Sequence, residues 1–263
     1  MKLIDKIDFS EKVYLIPLGD IHLGSKGIDY EKLQGYIDWI ANEPHAYCFL
    51  MGDVFDVATI TSPTNPFKSE MNLNDALKYL SELVKPIREK IIGAITGNHE
   101  TRLERFAGFN PLQAFCDTQG ITYAGYSAII RFRIGSKNRK TPKEMVSPKI
   151  EYVFFAHHTT GGGATIGGKL NRVQKLTQVF VGADAYLGGH NHSKAMGEEQ
   201  VAYLSKNGRG EAKIDFKKIF YIDTGSFLIY DNSYAEEKML PPSHTGAPRI
   251  RMDGFKKDLH ISY

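Results

Sequence analysis

Residues 13–22 read VYLIPLGDIH: a mostly apolar run, Val13-Leu18, and then Gly19, Asp20, Ile21 and His22. A short apolar run cut off by glycine and polar residues reads as a buried strand that delivers side chains at its carboxyl end. The same phrase recurs along the chain. Ala46-Met51 runs into Gly52-Asp53-Val54-Phe55-Asp56, and Ile91-Thr96 into Gly97-Asn98-His99-Glu100. Glu151-Ala156 runs into His157-His158, and Ala185-Leu187 into Gly188-Gly189-His190-Asn191-His192. Segments of helical period separate the first three runs. Tyr30-Ala41 carries Leu33, Tyr36, Ile37 and Ile40 on one face, and a second segment, capped by Asn72 or Asn74, carries Leu73, Leu77, Leu80, Leu83, Val84 and Ile87. Strands alternating with helices define an α/β chain.

Asn110-Pro111 is an N-cap and first-turn pair, and Gly120 closes that helix. From Ile121 the pattern changes. Ser127-Ile134 and Glu151-Ala156 are rich in β-branched and aromatic residues, so a second sheet is expected there. Lys169-Phe180 has helical spacing, and Gln200-Leu204 with Lys213-Ile222 flank Asn207-Gly208 as a hairpin. Residues 1–230 are expected to form the domain. Residues 231–263, with Pro241, Pro242 and Pro248 and no periodicity, are expected as an extension that packs on it as an extended arm or is partly disordered.

The 263 residues are 42% hydrophobic and 24% charged, which excludes disordered, collagen-like and coiled-coil classes. Cys48 and Cys116 sit in apolar surroundings and are too few for a disulfide framework, so both are read as reduced core residues. Charges interrupt every apolar run near the N-terminus and no apolar stretch is long enough to span a bilayer. A cytoplasmic protein with no membrane partner is the expectation. Thirty-three basic against 30 acidic residues leave a net charge of +3, too small to name an anionic partner.

Six of the nine histidines fall in the five strand-end clusters, beside Asp20, Asp53, Asp56 and Asn98. Imidazole and carboxylate without thiolate suit Mn, Fe, Zn, Co or Ni and not a cysteine-based structural zinc site. Residues two apart on an extended segment point to the same side, so Asp20 with His22, and His190 with His192, can reach one ion or two neighbouring ones. Each cluster has a plain alternative: a turn or cap for Asp20-x-His22, a turn for Gly97-Asn98-His99-Glu100, and one core plus one surface residue for His157-His158. All five in order, each after an apolar run, leave little room for coincidence.

Asp-x-His, Gly-Asp-x-x-Asp, Gly-Asn-His-Glu, a strand-end His and Gly-His-x-His, in that order, resemble the calcineurin-like metallophosphoesterase superfamily, and Thr224-Gly225-Ser226 resembles a segment that follows in its last strands. The resemblance covers residues 12 to 230. It implies a four-layer α/β/β/α sandwich, two mixed β-sheets flanked by helices. It also implies two divalent metal ions, manganese first and zinc, iron, cobalt or nickel as alternatives. Asp20, His22 and His192 would hold one ion, Asp53 would bridge, and Asn98, His157 and His190 would hold the other. His157 is assigned by position as the first imidazole after the strand, which leaves His158 to line the substrate site beside Asn98.

Such an enzyme would hydrolyse phosphodiesters of nucleotides or nucleic acid by in-line attack of a metal-bridging hydroxide. His99 would protonate the leaving group and Asp56 would fix its tautomer. A phosphomonoesterase and a non-catalytic metal-binding interaction module are the alternatives. Val57-Ala58 stand where the protein phosphatases of the superfamily have Arg-Gly, which argues against that subfamily, and about 33 residues beyond Tyr230 leave no room for the capping domain of the repair nucleases. Residues 131–149 hold Arg131, Arg133, Lys137, Arg139, Lys140, Lys143 and Lys149 against one acid, Glu144. They form either a track for a nucleic-acid backbone, with Arg139 and Lys140 as substrate contacts, or a solvated basic hairpin. Gly161-Gly162-Gly163 and Gly167-Gly168 could admit phosphates or move as a lid, although no Lys-Ser/Thr follows to make a P-loop.

Overall fold

The computed structural model describes residues 1–58, 67, 69–135, 150–163, 165–208, 210–231, 233–237, 239 and 241–263. The basic residues Lys137, Arg139, Lys140, Lys143 and Lys149 lie outside the described residues.

The run that opens the reading is strand β2 (Lys12–Leu18), and β1 (Lys2–Asp8) precedes it. Helix α1 (Tyr30–Asn42) follows, capped by Asp29, whose side chain accepts from the Lys32 N–H. It leads to β3 (Ala46–Leu50), then α2 (Leu73–Val84), capped by Asn72, and β4 (Ile91–Ala94). Pro86 ends α2 in a 3-10 segment, Lys85–Lys90, because proline cannot continue the α-helical ladder. After α3 (Asn98–Ala107) and α4 (Pro111–Gln119) come β5 (Ser127–Ile134) and β6 (Ile150–His157). The C-terminal third holds α5 (Ile166–Gln174), β7 (Ala185–Gly188), β8 (Lys194–Lys206), β9 (Ala212–Thr224), α6 (Tyr234–Glu237), β10 (Arg249–Asp253) and β11 (Leu259–Ser262).

Two mixed sheets result. One runs β11-β10-β2-β3-β4 and the other β1-β5-β6-β7-β9-β8. Alternation along the strands builds the layers. Leu15, Phe49 and Ile95 of the first sheet meet Ile130, Phe132, Phe154, Leu187 and Ile222 of the second in a core between the sheets. Their neighbours Ile16, Cys48 and Leu50 face outward onto Leu33, Ile37, Ile40, Leu80 and Phe115 of α1, α2 and α4. On the other side Phe155 and Tyr186 face Val173 of α5 and Leu176. This is the expected four-layer α/β/β/α sandwich. Cys48 and Cys116 are free and buried, as their apolar surroundings indicated.

Two elements correct the sequence reading. Residues 231–263, expected as an arm without regular structure, contribute strands: β10 pairs antiparallel with β2, Ile250 opposite Leu15, and β11 pairs with β10. Ile250 and Met252 are fully buried between the sheets, so two alternating apolar residues in a proline-rich region suffice to recruit the strand. The Gly97-Asn98-His99-Glu100 cluster, for which a plain turn was the alternative and no helix was expected, opens α3, whose buried residues are Glu100 and Thr101. A helix anchored by polar groups has no apolar stripe for periodicity to detect.

Candidate metal centre

Asp20, Asp53, Asn98, His158, His190 and His192 all follow carboxyl ends of parallel strands, where a doubly wound sheet leaves a crevice. The backbone there is unusual. Asp20 (φ 48°), His22 (φ 56°), Asp53 (φ 48°), His190 (φ 75°) and His192 (φ 50°) all adopt the left-handed region, at about 1–2 kcal/mol each for residues with a Cβ. Hydrogen bonds enforce the turns: the Asp20 N–H donates to Gly52 O (3.0 Å), the His22 N–H to Asp53 O (3.0 Å), and the His190 N–H to the Asp20 carboxylate (3.0 Å). Gly97 is required beside them, because a Cβ there would fall on the Asp53 carboxylate.

Three groups of side chains converge. In the first, Asp20, His22 and His192 bring their ligand atoms within 4.8 Å of one another, with His192 Nε2 3.1 Å from Asp20 Oδ1 and 3.1 Å from His22 Nε2. In the second, Asp53, His158 and His190 do the same, with Asp53 Oδ2 3.0 Å from His158 Nε2 and 3.9 Å from His190 Nδ1. The third, His22, Asp53 and His99, joins them through Asp53. His99 Nδ1 lies 3.0 Å from Asp56 Oδ1, and the His99 backbone N–H donates to Asp53 Oδ1 (2.8 Å).

These residues fit a pair of cations. Asn98 Oδ1 and His190 Nδ1 are buried without a hydrogen-bond partner, and the buried Asp53 Oδ2 and His158 Nε2 face each other at 3.0 Å, an arrangement that is costly unless an ion completes it. Burial alone would raise the Asp20 and Asp53 carboxyls, yet the imidazoles around them hold both well below the usual carboxylate range. Burial lowers His158, but Asp53 and Asp20 push it up to about 10, so the two carboxylates draw positive charge to this point. Burial and neighbouring imidazoles lower His22 and His190, keeping them in the neutral form that ligates metal.

The structure places His158, and not the expected His157, among the converging side chains. His158 is 3% exposed, points into the cluster, and places Nδ1 2.8 Å from Met51 O, which orients Nε2 toward Asp53. His157 Nδ1 instead accepts from the Thr159 N–H (2.7 Å), and its ring lines a separate groove. Strand parity explains this. Tyr152, Phe154 and Ala156 face the core between the sheets, and His158 continues their side, whereas His157 continues the side of Val153 and Phe155 toward the helix layer. Both faces of β6 are apolar, so alternation in the sequence does not tell them apart.

Two participants escaped the sequence reading. Each Glu100 carboxylate oxygen accepts two backbone N–H groups: Oε1 from Val54 (2.7 Å) and Phe55 (3.2 Å), Oε2 from Asp53 (3.0 Å) and Gly97 (2.9 Å). Glu100 thereby locks the Asp53 loop to the start of α3. Asp223, at the end of β9, is fully buried, and burial with the nearby Asp20 carboxylate pushes it well above the ordinary range. Its place just before Thr224-Gly225-Ser226 was the available signal. Ser226 Oγ in turn donates to Asp20 O (3.2 Å). Of the basic stretch, Arg131 and Arg133 both pair with Asp5, at 2.6 and 2.8 Å.

A cavity of about 550 Å³ opens beside the cluster, lined by His22, Asp53, Asp56, Asn98, His99, Arg102, Lys169, His190 and His192, with Leu228, Tyr230, Pro241 and Ser243 as its outer wall. Among the described residues no helix is long and apolar enough to cross a membrane.

Residues 15–194 match the model of the calcineurin-like phosphoesterase family, and the chain belongs to that family of metal-dependent phosphoester hydrolases. Among solved structures it is similar to the NAD nucleotidase of Haemophilus influenzae at 10% identity and a TM-score of 0.42, over 96% of this chain and 49% of that one. The chain thus spans about half the length of that protein. No protein of curated function matches its sequence.

Proposed function

We propose that the chain is a two-metal phosphodiesterase acting on nucleotides or nucleic acid. The observation that carries the proposal is the position of Asp53, with His158 and His190 on one side and His22 and His99 on the other. Asp20, His22 and His192 would hold one ion, Asn98, His158 and His190 would hold the second, and Asp53 would serve both; manganese is the first candidate for both sites. Two divalent ions, when bound, acidify water and neutralise charge at the phosphoryl group.

The remaining chemistry belongs to the side chains. His99 Nε2 faces the cavity while Nδ1 is held against Asp56, the orientation required of an acid that hands a proton to a departing oxygen. The two carboxylates around His99 outweigh its burial and raise it above the usual histidine value, which favours the protonated form. The cations lining the cavity are Arg102 and Lys169, and Lys169 is engaged with Asn191 O (3.0 Å) and the Ser193 hydroxyl. A monoanionic diester needs less additional positive charge than a dianionic monoester, which favours the diester. Hydrolysis of bis-p-nitrophenyl phosphate and p-nitrophenyl phosphate, each with Mn, Zn, Mg or EDTA, tests the reading. Preferential metal-dependent turnover of the diester is expected; preference for the monoester or inertness toward both would overturn it.

A further inference from the structure

We infer that the outer face of α3 carries a binding track for single-stranded nucleic acid, which meets the catalytic cavity at Asn98 and Arg102. This rests on the phosphodiesterase reading above and specifies its substrate. The observation is a second groove of about 600 Å³ that shares Asn98 and Arg102 with the catalytic cavity. A phosphorus atom at the metal centre therefore has two adjoining furrows beside it. A phosphomonoester or a small mononucleotide would fill one; a chain with nucleotides on both sides of the scissile phosphate needs both.

The lining of the second groove matches that occupant. Asn98, Arg102 and Phe106 are spaced four residues apart, so they form one stripe on α3, with Arg105 beside it. None of the groove's lining residues is acidic, in contrast to the cavity with its Asp53 and Asp56. Phe106 is 66% exposed and Tyr126, across the groove, is 59% exposed. Exposed rings beside arginines supply the stacking platform and backbone charge of a sequence-tolerant single-strand site. His157 acquires a role here. Because Nδ1 accepts from the Thr159 N–H, the neutral ring carries its hydrogen on Nε2, a donor suited to a phosphate oxygen. A duplex would not expose its bases to Phe106 and Tyr126.

The test uses the full chain and a fluorescein-labelled oligothymidylate, with binding read by anisotropy in EDTA so that metal occupancy and turnover play no part. Phe106→Ala/Tyr126→Ala should weaken binding roughly ten-fold or more, as expected for loss of two stacking rings. It should also lower the ratio of oligonucleotide to bis-p-nitrophenyl phosphate turnover in Mn. Circular dichroism checks that the variant is folded, and Arg105→Glu on the exposed face of α3 is the second variant, expected to weaken binding and flatten its salt dependence. Binding within two-fold of wild type in both variants, or tighter binding of the duplex than of the single strand, would overturn the inference. If the wild type fails on the diester while oligonucleotide binding responds to the variants, the catalytic reading fails and the track stands. Robust diester turnover with indifferent binding has the reverse meaning.

Discussion

His158 Nε2 stands 3.0 Å from Asp53 Oδ2, held there by the Met51 carbonyl at its other nitrogen, while the adjacent His157 turns away into a different groove. His158→Ala should therefore lose one of two bound divalent ions and lower diester turnover by roughly 100-fold or more, since even residues behind metal ligands are worth 10–100-fold. His157→Ala should keep both ions. Elemental analysis of the two purified variants decides between them, and the reverse pattern would return the ligand role to His157.

Glu100 collects four N–H groups from two loops, so Glu100→Gln replaces an acceptor with an NH₂ that faces donors. A loss of roughly 3 kcal/mol follows from disrupting charge-assisted hydrogen bonds in a buried site. In a chain of this size the thermal midpoint should fall by roughly 6–12 °C. A midpoint within two degrees of wild type would show that the loop is held by other contacts.

In the proposed mechanism Asp56 acts through His99, whose Nδ1 lies 3.0 Å from its Oδ1. Asp56→Asn should leave metal content intact and lower turnover of diesters with poor leaving groups, with a much smaller effect on p-nitrophenyl esters, which leave without protonation. His99→Ala should show the same dependence on leaving group, more strongly. Equal losses on both substrate types in either variant would remove the acid role from His99.

Removal of the ions should destabilise the fold as well as abolish activity. Ions that bind the native state alone contribute about 2.7 kcal/mol at a hundred-fold excess over their Kd. Dialysis against EDTA should then lower the thermal midpoint by several degrees, and Mn should restore it. A midpoint indifferent to EDTA would count against a pair of tightly held ions.

Asp5 provides a pH test remote from the metals. The Arg131 hydrogen bond, helped by that from Arg133 and by both positive charges, holds its carboxyl below the ordinary Asp value of about 3.9 although burial pushes it the other way. A depressed folded-state value means that its stabilisation is present above the unfolded value and is lost as pH falls through the folded one. Asp5→Asn should thus lower the midpoint slightly at pH 7, and the difference should close in acid, as pH falls through the folded-state value, or in 1 M salt, because the ion pairs are partly exposed. A gap that persists in acid would show that Asp5 acts through something other than its charge.

Much of this architecture is legible in the chain because burial leaves a pattern. Leu15 and Ile16 serve opposite faces of β2, and the apolar run they belong to announces a strand covered on both sides. Part of what was hidden is held by hydrogen bonds and not by apolar surface, and β10 is hidden because two buried residues, Ile250 and Met252, are too few to make a pattern. Glu100 anchors α3 without a hydrophobic stripe, and β1, with Lys2, Leu3, Asp5 and Ile7 exposed, buries little beyond Ile4 and Asp8. The choice between His157 and His158 depends on which face of β6 looks toward the other sheet, a tertiary fact.

Strand β10 lies beside β2, although some 230 residues of chain separate Leu15 from its partner Ile250. During synthesis, translation must pass Asp253 before β2 acquires its neighbour on that side. The open edge of β2, with Val13 and Leu15 that Met252 and Ile250 later cover, is the surface that a nascent chain must keep from foreign partners. Completion of this sheet therefore waits on synthesis of residues 249–253, and chaperone dependence should concentrate in chains arrested before residue 249.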